Sequence, residues 1–158
     1  MAAVMLPLTT WAQSAQDFAT HFMQGRDNGS NVKCITVGPK MISTMLSSEN
    51  PSGDTAGLRE ALEGIKSLRI ISGTTEASAL RKEAVGLLKR SRRHYSPYKE
   101  NGKQTYGDCL WTRQIGKRIA ELVYVAPENT SKGFVVMDFT GNIDPGFIEG
   151  LISKGQQK

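Results

Sequence analysis

Six of the fifteen residues from Lys89 to Lys103 are lysine or arginine, with Tyr95 and Tyr98 interleaved and Glu100 the only acid among them. Clustered cations of this kind raise the local potential and attract phosphate, sulfate or carboxylate groups, while the phenol rings add apolar contact. Arg90, Arg92, Arg93 and Lys99 are the candidate anionic-ligand contacts. The plain alternative is a solvated helix end running into an edge strand. Lys89 and Arg90 would then complement the helix dipole, and the later lysines would discourage edge-to-edge pairing.

Other chemistry finds little support. A catalytic metal site needs about three converging His, Cys or carboxylate ligands. The chain has only His21 and His94, and neither has a His or Cys neighbour at ligand spacing. No Gly-x-Ser-x-Gly nucleophile elbow, phosphate loop or dinucleotide fingerprint is present. Asp108 precedes Cys109, but in a strand adjacent side chains point to opposite faces and cannot form a dyad. Glu60 and Glu63 read as charges on a helix surface. No catalytic residue, cofactor or metal ligand is assigned.

The chain has 158 residues, 39% of them hydrophobic and 22% charged, the composition of one ordinary globular domain. A domain of this size buries enough surface to need no metal or disulfide. The net charge of +5 is a weak bias toward acidic partners. Ala2 to Leu8 are apolar and run into Thr10 and Ala12, small residues that fit the minus-three and minus-one positions of a signal-peptidase site. The apolar stretch is too short to span a membrane, which takes about 20 residues. Met1 is followed at once by Ala2 where a signal peptide carries Lys or Arg, so residues 1–12 read as a signal-peptide remnant and 13–158 as the mature domain. The expected location is the periplasm or the exterior. There the basic run would meet lipopolysaccharide, an acidic glycan or an envelope protein rather than nucleic acid. Cys34 and Cys109 both lie in strand-like segments, where a free cysteine acts as a small buried hydrophobe. Pairing requires Cα atoms within about 7 Å, and the sequence leaves it open.

These residues need elements to hold them. Phe18 and Phe22, one turn apart with Ala15, Ala19 and Met23 beside them, predict a short helix ending at Gly25. Val32 to Val37 predicts a strand, and Pro39 opens a helix carrying Met41, Ile42, Met45 and Leu46. Asp54 or Thr55 caps a helix with Leu58, Ala61, Leu62 and Ile65, and a second strand runs from Leu68 to Ser72. Ala77, Leu80, Ala84, Leu87 and Leu88 form one buried stripe of a longer helix. After Arg93 the period becomes extended. Tyr95 to Lys99 is an edge strand because of Pro97, and Asn101-Gly102 is a two-residue hairpin turn. Strands follow over Gln104 to Thr112, Arg118 to Ala126 (apolar on both faces, hence central) and Gly133 to Thr140. Asp144 and Pro145 start a final helix carrying Phe147, Ile148, Leu151 and Ile152, with Ile143 stapled to Ile148. The expected fold is α+β, a mixed sheet with a C-terminal antiparallel meander of about four strands and helices mainly on one face.

Four stretches in this order resemble a known family. They are Val37-Gly-Pro-Lys-Met41, Leu62-Glu-Gly-Ile-Lys-Ser-Leu-Arg-Ile-Ile71, Gly116-Lys-Arg-Ile-Ala-Glu-Leu-Val-Tyr-Val125 and Phe134-Val-Val-Met-Asp-Phe-Thr-Gly-Asn-Ile-Asp144. Together they resemble domain of unknown function 4252, a family of small exported proteins of Gram-negative bacteria. The resemblance spans about Asp17 to Lys154 and implies an exported location, with no activity attached. The expected function is a non-enzymatic binding or interaction module. The competing classes are a structural subunit of an envelope assembly and a hydrolase whose residues are scattered in sequence.

Overall fold

A computed structural model describes residues 16–26, 30–48, 60–104, 106–128 and 133–155. The expected signal remnant and the proposed cap at Asp54 or Thr55 lie outside the described residues. The elements are α1 (Phe18–Met23), β1 (Val32–Val37), α2 (Pro39–Ser48), α3 (helical at residues 60–63), β2 (Ile65–Gly73), α4 (Ala77–Arg90), β3 (Ser96–Pro97), β4 (Leu110–Ile115), β5 (Arg118–Val125), β6 (Phe134–Ile143) and α5 (Pro145–Gly155). The fold is α+β.

One six-stranded sheet has the order β1-β2-β6-β5-β4-β3. The last four strands form the expected meander, and β5 lies inside it, as its two apolar faces require. Asn101 and Gly102 have φ of 49° and 80°, the left-handed geometry of a type I′ turn, and Glu100 and Lys103 exchange both backbone hydrogen bonds across it. The hairpin is short, however. Residues 106–109 turn back, and β4 begins only at Leu110.

Two expectations are corrected. The sheet is not mixed, because every neighbouring pair of strands is antiparallel. The chain from β2 through α4 reaches the far edge at β3, and the meander then fills the gap with alternating strands until β6 meets β2. Nor do the helices gather on one face. Ile71, Val123 and Val136 face α1 and α4, packing on Phe18, Phe22, Ala84 and Leu88. Leu68, Leu122 and Phe139, at the alternate positions of the same strands, pack with Ile42, Phe147 and Ile148 of α2 and α5. Strands that are apolar on both sides require cover on both sides.

Close backbone packing fixes the junction of β2 and β6. Gly141 has φ of 142°, and a Cβ there would lie 2.2 Å from the carbonyl oxygen of Gly64. The same contact lets Asn142 N–H donate to that carbonyl at 2.7 Å. Only glycine fits both sides of this bulge.

Candidate functional site

The cysteines stand far apart. Cys34 is on edge strand β1 and Cys109 immediately precedes β4, with β2, β6 and β5 between them. Neighbouring strands are about 4.8 Å apart, so the two cannot bond within one chain. Cys34 is exposed, contrary to the buried role expected of it, on a strand whose outer side pairs with no other strand among the described residues. Ile35, its neighbour on the opposite face, is 58% exposed as well. His21 and His94 are surface residues. Among the described residues no group of three His, Cys, Asp or Glu side chains could hold a metal ion.

Arg90, Arg92 and Arg93 are exposed at the C-terminal end of α4 and in the turn after it, and Lys99 is exposed beyond β3. Lys89 of the same run pairs with Asp108 at 3.2 Å. None of the other four takes part in an ion pair among the described residues.

Two features emerge that single residues did not announce. The first is a pair of wholly buried carboxyl groups, Glu121 on β5 and Asp138 on β6, each 0% exposed. They project from the sheet face that carries α1. Glu121 Oε1 accepts from the Phe18 amide at 2.7 Å and from the Tyr95 hydroxyl at 3.0 Å, while Oε2 accepts from Arg113 Nε at 2.6 Å. Asp138 Oδ2 accepts from the Ala19 amide at 2.8 Å. Asp17 caps the helix by accepting from Thr20 N–H at 2.7 Å and pairs with Arg69 at 3.0 Å, and Arg69 also donates to the Thr20 hydroxyl. Burial, and then the charge of Glu121, push the Asp138 carboxyl well above the usual carboxylate range. Burial beside the same carboxylate drives the Tyr95 phenol upward as well. Glu121, Asp138 and Asp17 thus hold the start of α1, Tyr95 and Arg113 hold Glu121, and among the described residues Asp138 Oδ1 has no hydrogen-bond partner.

The second feature is a cavity of about 360 Å³ on the opposite face of the sheet. Its floor is the row Leu110, Tyr124, Met137 across β4, β5 and β6, with Phe139 beside it. Ile148, Leu151 and Ile152 of α5 roof it, and Tyr106, Cys109 and Pro127 close the sides. Asp144 starts that roof as the sequence predicts, accepting from Gly146 N–H at 2.7 Å, with Pro145 in the first turn. The walls are aliphatic and aromatic, and the polar atoms near them are few. Tyr106 donates to Glu100 at 3.0 Å and stacks toward Tyr98, with ring centroids 6.2 Å apart. Burial raises the Tyr124 phenol above its ordinary value, so it stays a neutral donor. A partly open, mainly apolar space of this size suits a hydrocarbon chain.

Sequence patterning placed Met137 and Phe139 on one face of a strand and Ile148, Leu151 and Ile152 on the inner face of the last helix, and all five line this space. It gave no sign that the core stops short of filling the space under α5. That depends on how far a helix roof stands from its sheet, which no residue type reports.

No curated protein and no solved structure matches the chain. The family model described as Domain of unknown function (DUF4252) matches residues 26–151, spanning β1 to the roof helix α5, and the chain belongs to that family.

Proposed function

We propose that this chain is an exported, non-enzymatic binding module whose ligand carries an apolar chain, seated between α5 and the β4-β5-β6 floor. The observation that carries this reading is the 360 Å³ cavity lined by Leu110, Met137, Phe139, Ile148, Leu151 and Ile152. Cavities of about 300–1,000 Å³ with apolar walls and a few polar groups are the usual form of small-ligand sites. The non-catalytic part rests on the buried acids. Glu121 and Asp138 are covered by α1 and bonded to its backbone, so a substrate has no approach to them. The exported part rests on the apolar run and the Thr10/Ala12 pair at the N-terminus, and among the described residues no helix is long and apolar enough to cross a membrane.

The test is fluorescence titration with the neutral apolar dye N-phenyl-1-naphthylamine. Saturable enhancement is expected for the parent protein and its loss in Leu151→Trp, whose indole fills the cavity from the roof. No enhancement, or enhancement unchanged in L151W, overturns the reading.

A second surface has its own support. Arg90, Arg92, Arg93 and Lys99 are exposed and carry no ion pair among the described residues, which leaves them available to lipopolysaccharide or an acidic glycan.

A further inference from the structure

A cation, Arg81, lies outside the cavity lining but contacts Cys109, which belongs to it. Arg81 stands on α4, which packs against the other face of the sheet, and its side chain reaches the strand ends where β4 begins and β5 finishes. There Nε donates to the Ala126 carbonyl at 3.1 Å, and an NH2 hydrogen points at Cys109 Sγ at 3.7 Å. Cys109 and Pro127, the residue after Ala126, both line the cavity. The guanidinium is therefore held by one carbonyl and one weak sulfur acceptor beside an apolar chamber. It is in no ion pair among the described residues. These contacts take the Nε hydrogen and one NH2 hydrogen, and the end-on pair of donors on the two terminal nitrogens is left to face a carboxylate in fork geometry.

The remaining charges at the chamber orient what would enter. Glu128, just past Pro127, accepts from the Ser78 hydroxyl at 3.1 Å and is exposed. Glu100, bonded to the Tyr106 phenol, places negative charge on that wall and disfavours an anion there. Lys89, one more cation of α4, is held by Asp108, the residue preceding Cys109. The positive group next to Cys109 and Pro127 is thus Arg81, fixed in place by Ala126.

Resting on the reading of the cavity as a ligand site, we infer that its ligand is a single-chain amphiphile with an anionic head group, a carboxylate held by Arg81 and a hydrocarbon tail under α5. The tail supplies affinity by leaving water, and the guanidinium selects the head. A charge-assisted pair at a partly buried margin is worth about tenfold or more in affinity.

Calorimetric titration with three twelve-carbon amphiphiles below their micelle concentrations separates the two claims. These are dodecanoate, dodecyltrimethylammonium and dodecyl maltoside. Parent protein is expected to favour dodecanoate over dodecyl maltoside by about tenfold or more, and Arg81→Gln to bring that ratio close to one. Arg81→Lys retains the charge and is expected to keep part of the preference, which guards against a fold defect in R81Q. Equal binding of all three amphiphiles, or a preference unchanged in R81Q, overturns the head-group inference while leaving the cavity reading intact. Failure of all three to bind the parent protein, or binding unaffected by Leu151→Trp, overturns the cavity reading and the inference with it.

Discussion

Glu121 and Asp138 accept hydrogen bonds from consecutive backbone amides of α1, Phe18 at 2.7 Å and Ala19 at 2.8 Å. Two acids in the middle of a sheet are thereby paired with the unsatisfied N–H groups that every helix start presents. The relation works in both directions. A six-residue helix is too short to hold itself together, and the buried acids would be costly without donors. The apolar side of α1, Phe18 and Phe22, then closes the core over them.

The pair sets a pH dependence that Asp138 controls. Its carboxyl titrates well above the ordinary value of 3.8, because burial and Glu121 disfavour its charged form. The folded state therefore holds a proton that the unfolded chain releases earlier. Stability from this group is complete below 3.8, declines as pH rises beyond it, and is lost once pH passes the folded value. Asp138→Asn keeps an acceptor for the Ala19 amide and cannot ionise. In urea denaturation across a pH series, the variant is expected to gain on the parent steadily as pH rises. A difference between the two that is independent of pH would rule the account out.

Arg113 neutralises the other member. Its side chain is 13% exposed and donates to Glu121 Oε2 at 2.6 Å. Removing one partner of a buried pair leaves an uncompensated charge, so Arg113→Met is expected to cost about 3 kcal/mol in denaturant unfolding at neutral pH. The double variant R113M/E121M should recover part of that loss. It discards the stranded charge, although Phe18 and Tyr95 lose their acceptor.

The sequence pattern carried most of the elements but not the acids. β1 has the bounds that its β-branched residues predict, and the Asn101-Gly102 turn and the Asp144-Pro145 helix start are where local chemistry places them. These features depend on neighbouring residues alone. Period-two alternation also held the missing clue. Glu121 shares a face with Val123 and Val125, and Asp138 shares one with Val136 and Phe134. A charge at an inward position of a strand apolar on both sides is a buried charge, and its partner must come from elsewhere in the chain. That partner is a helix start 103 and 119 residues away. The exposed β1 edge, with Cys34 and Ile35 in water, was hidden for a related reason: strand order is a property of the whole sheet.

Gly141 is a point where backbone alone decides. Its φ of 142° and the 2.2 Å approach of Gly64 O to a built Cβ both exclude a side chain. Gly141→Ala must move β6 away from β2 or flip the bulge, and it is expected to cost on the order of 2 kcal/mol or more. Gly150, where a Cβ meets nothing within 4 Å on the surface of α5, is the control. Gly150→Ala should stabilise by about 0.5–1 kcal/mol through helix propensity. Thermal unfolding of the two variants that shows equal shifts would contradict the assignment.

The basic segment gives the last prediction. Arg90, Arg92, Arg93 and Lys99 are exposed around the α4 end and β3, without an ion pair among the described residues. Each contact to an anionic surface is weak, on the order of 1 kcal/mol. Four acting together supply about 4 kcal/mol, which is binding in the millimolar range at low salt. Screening over about 8 Å at physiological ionic strength should then erode it. The quadruple Ser variant is expected to lose binding to lipopolysaccharide or an acidic glycan while keeping the parent's affinity for N-phenyl-1-naphthylamine, since none of the four lines the cavity. Titrations at low and physiological salt decide it. If parent and variant bind alike, or neither binds, the segment is a solvated helix end and edge strand, and its charge serves only to keep that edge from pairing.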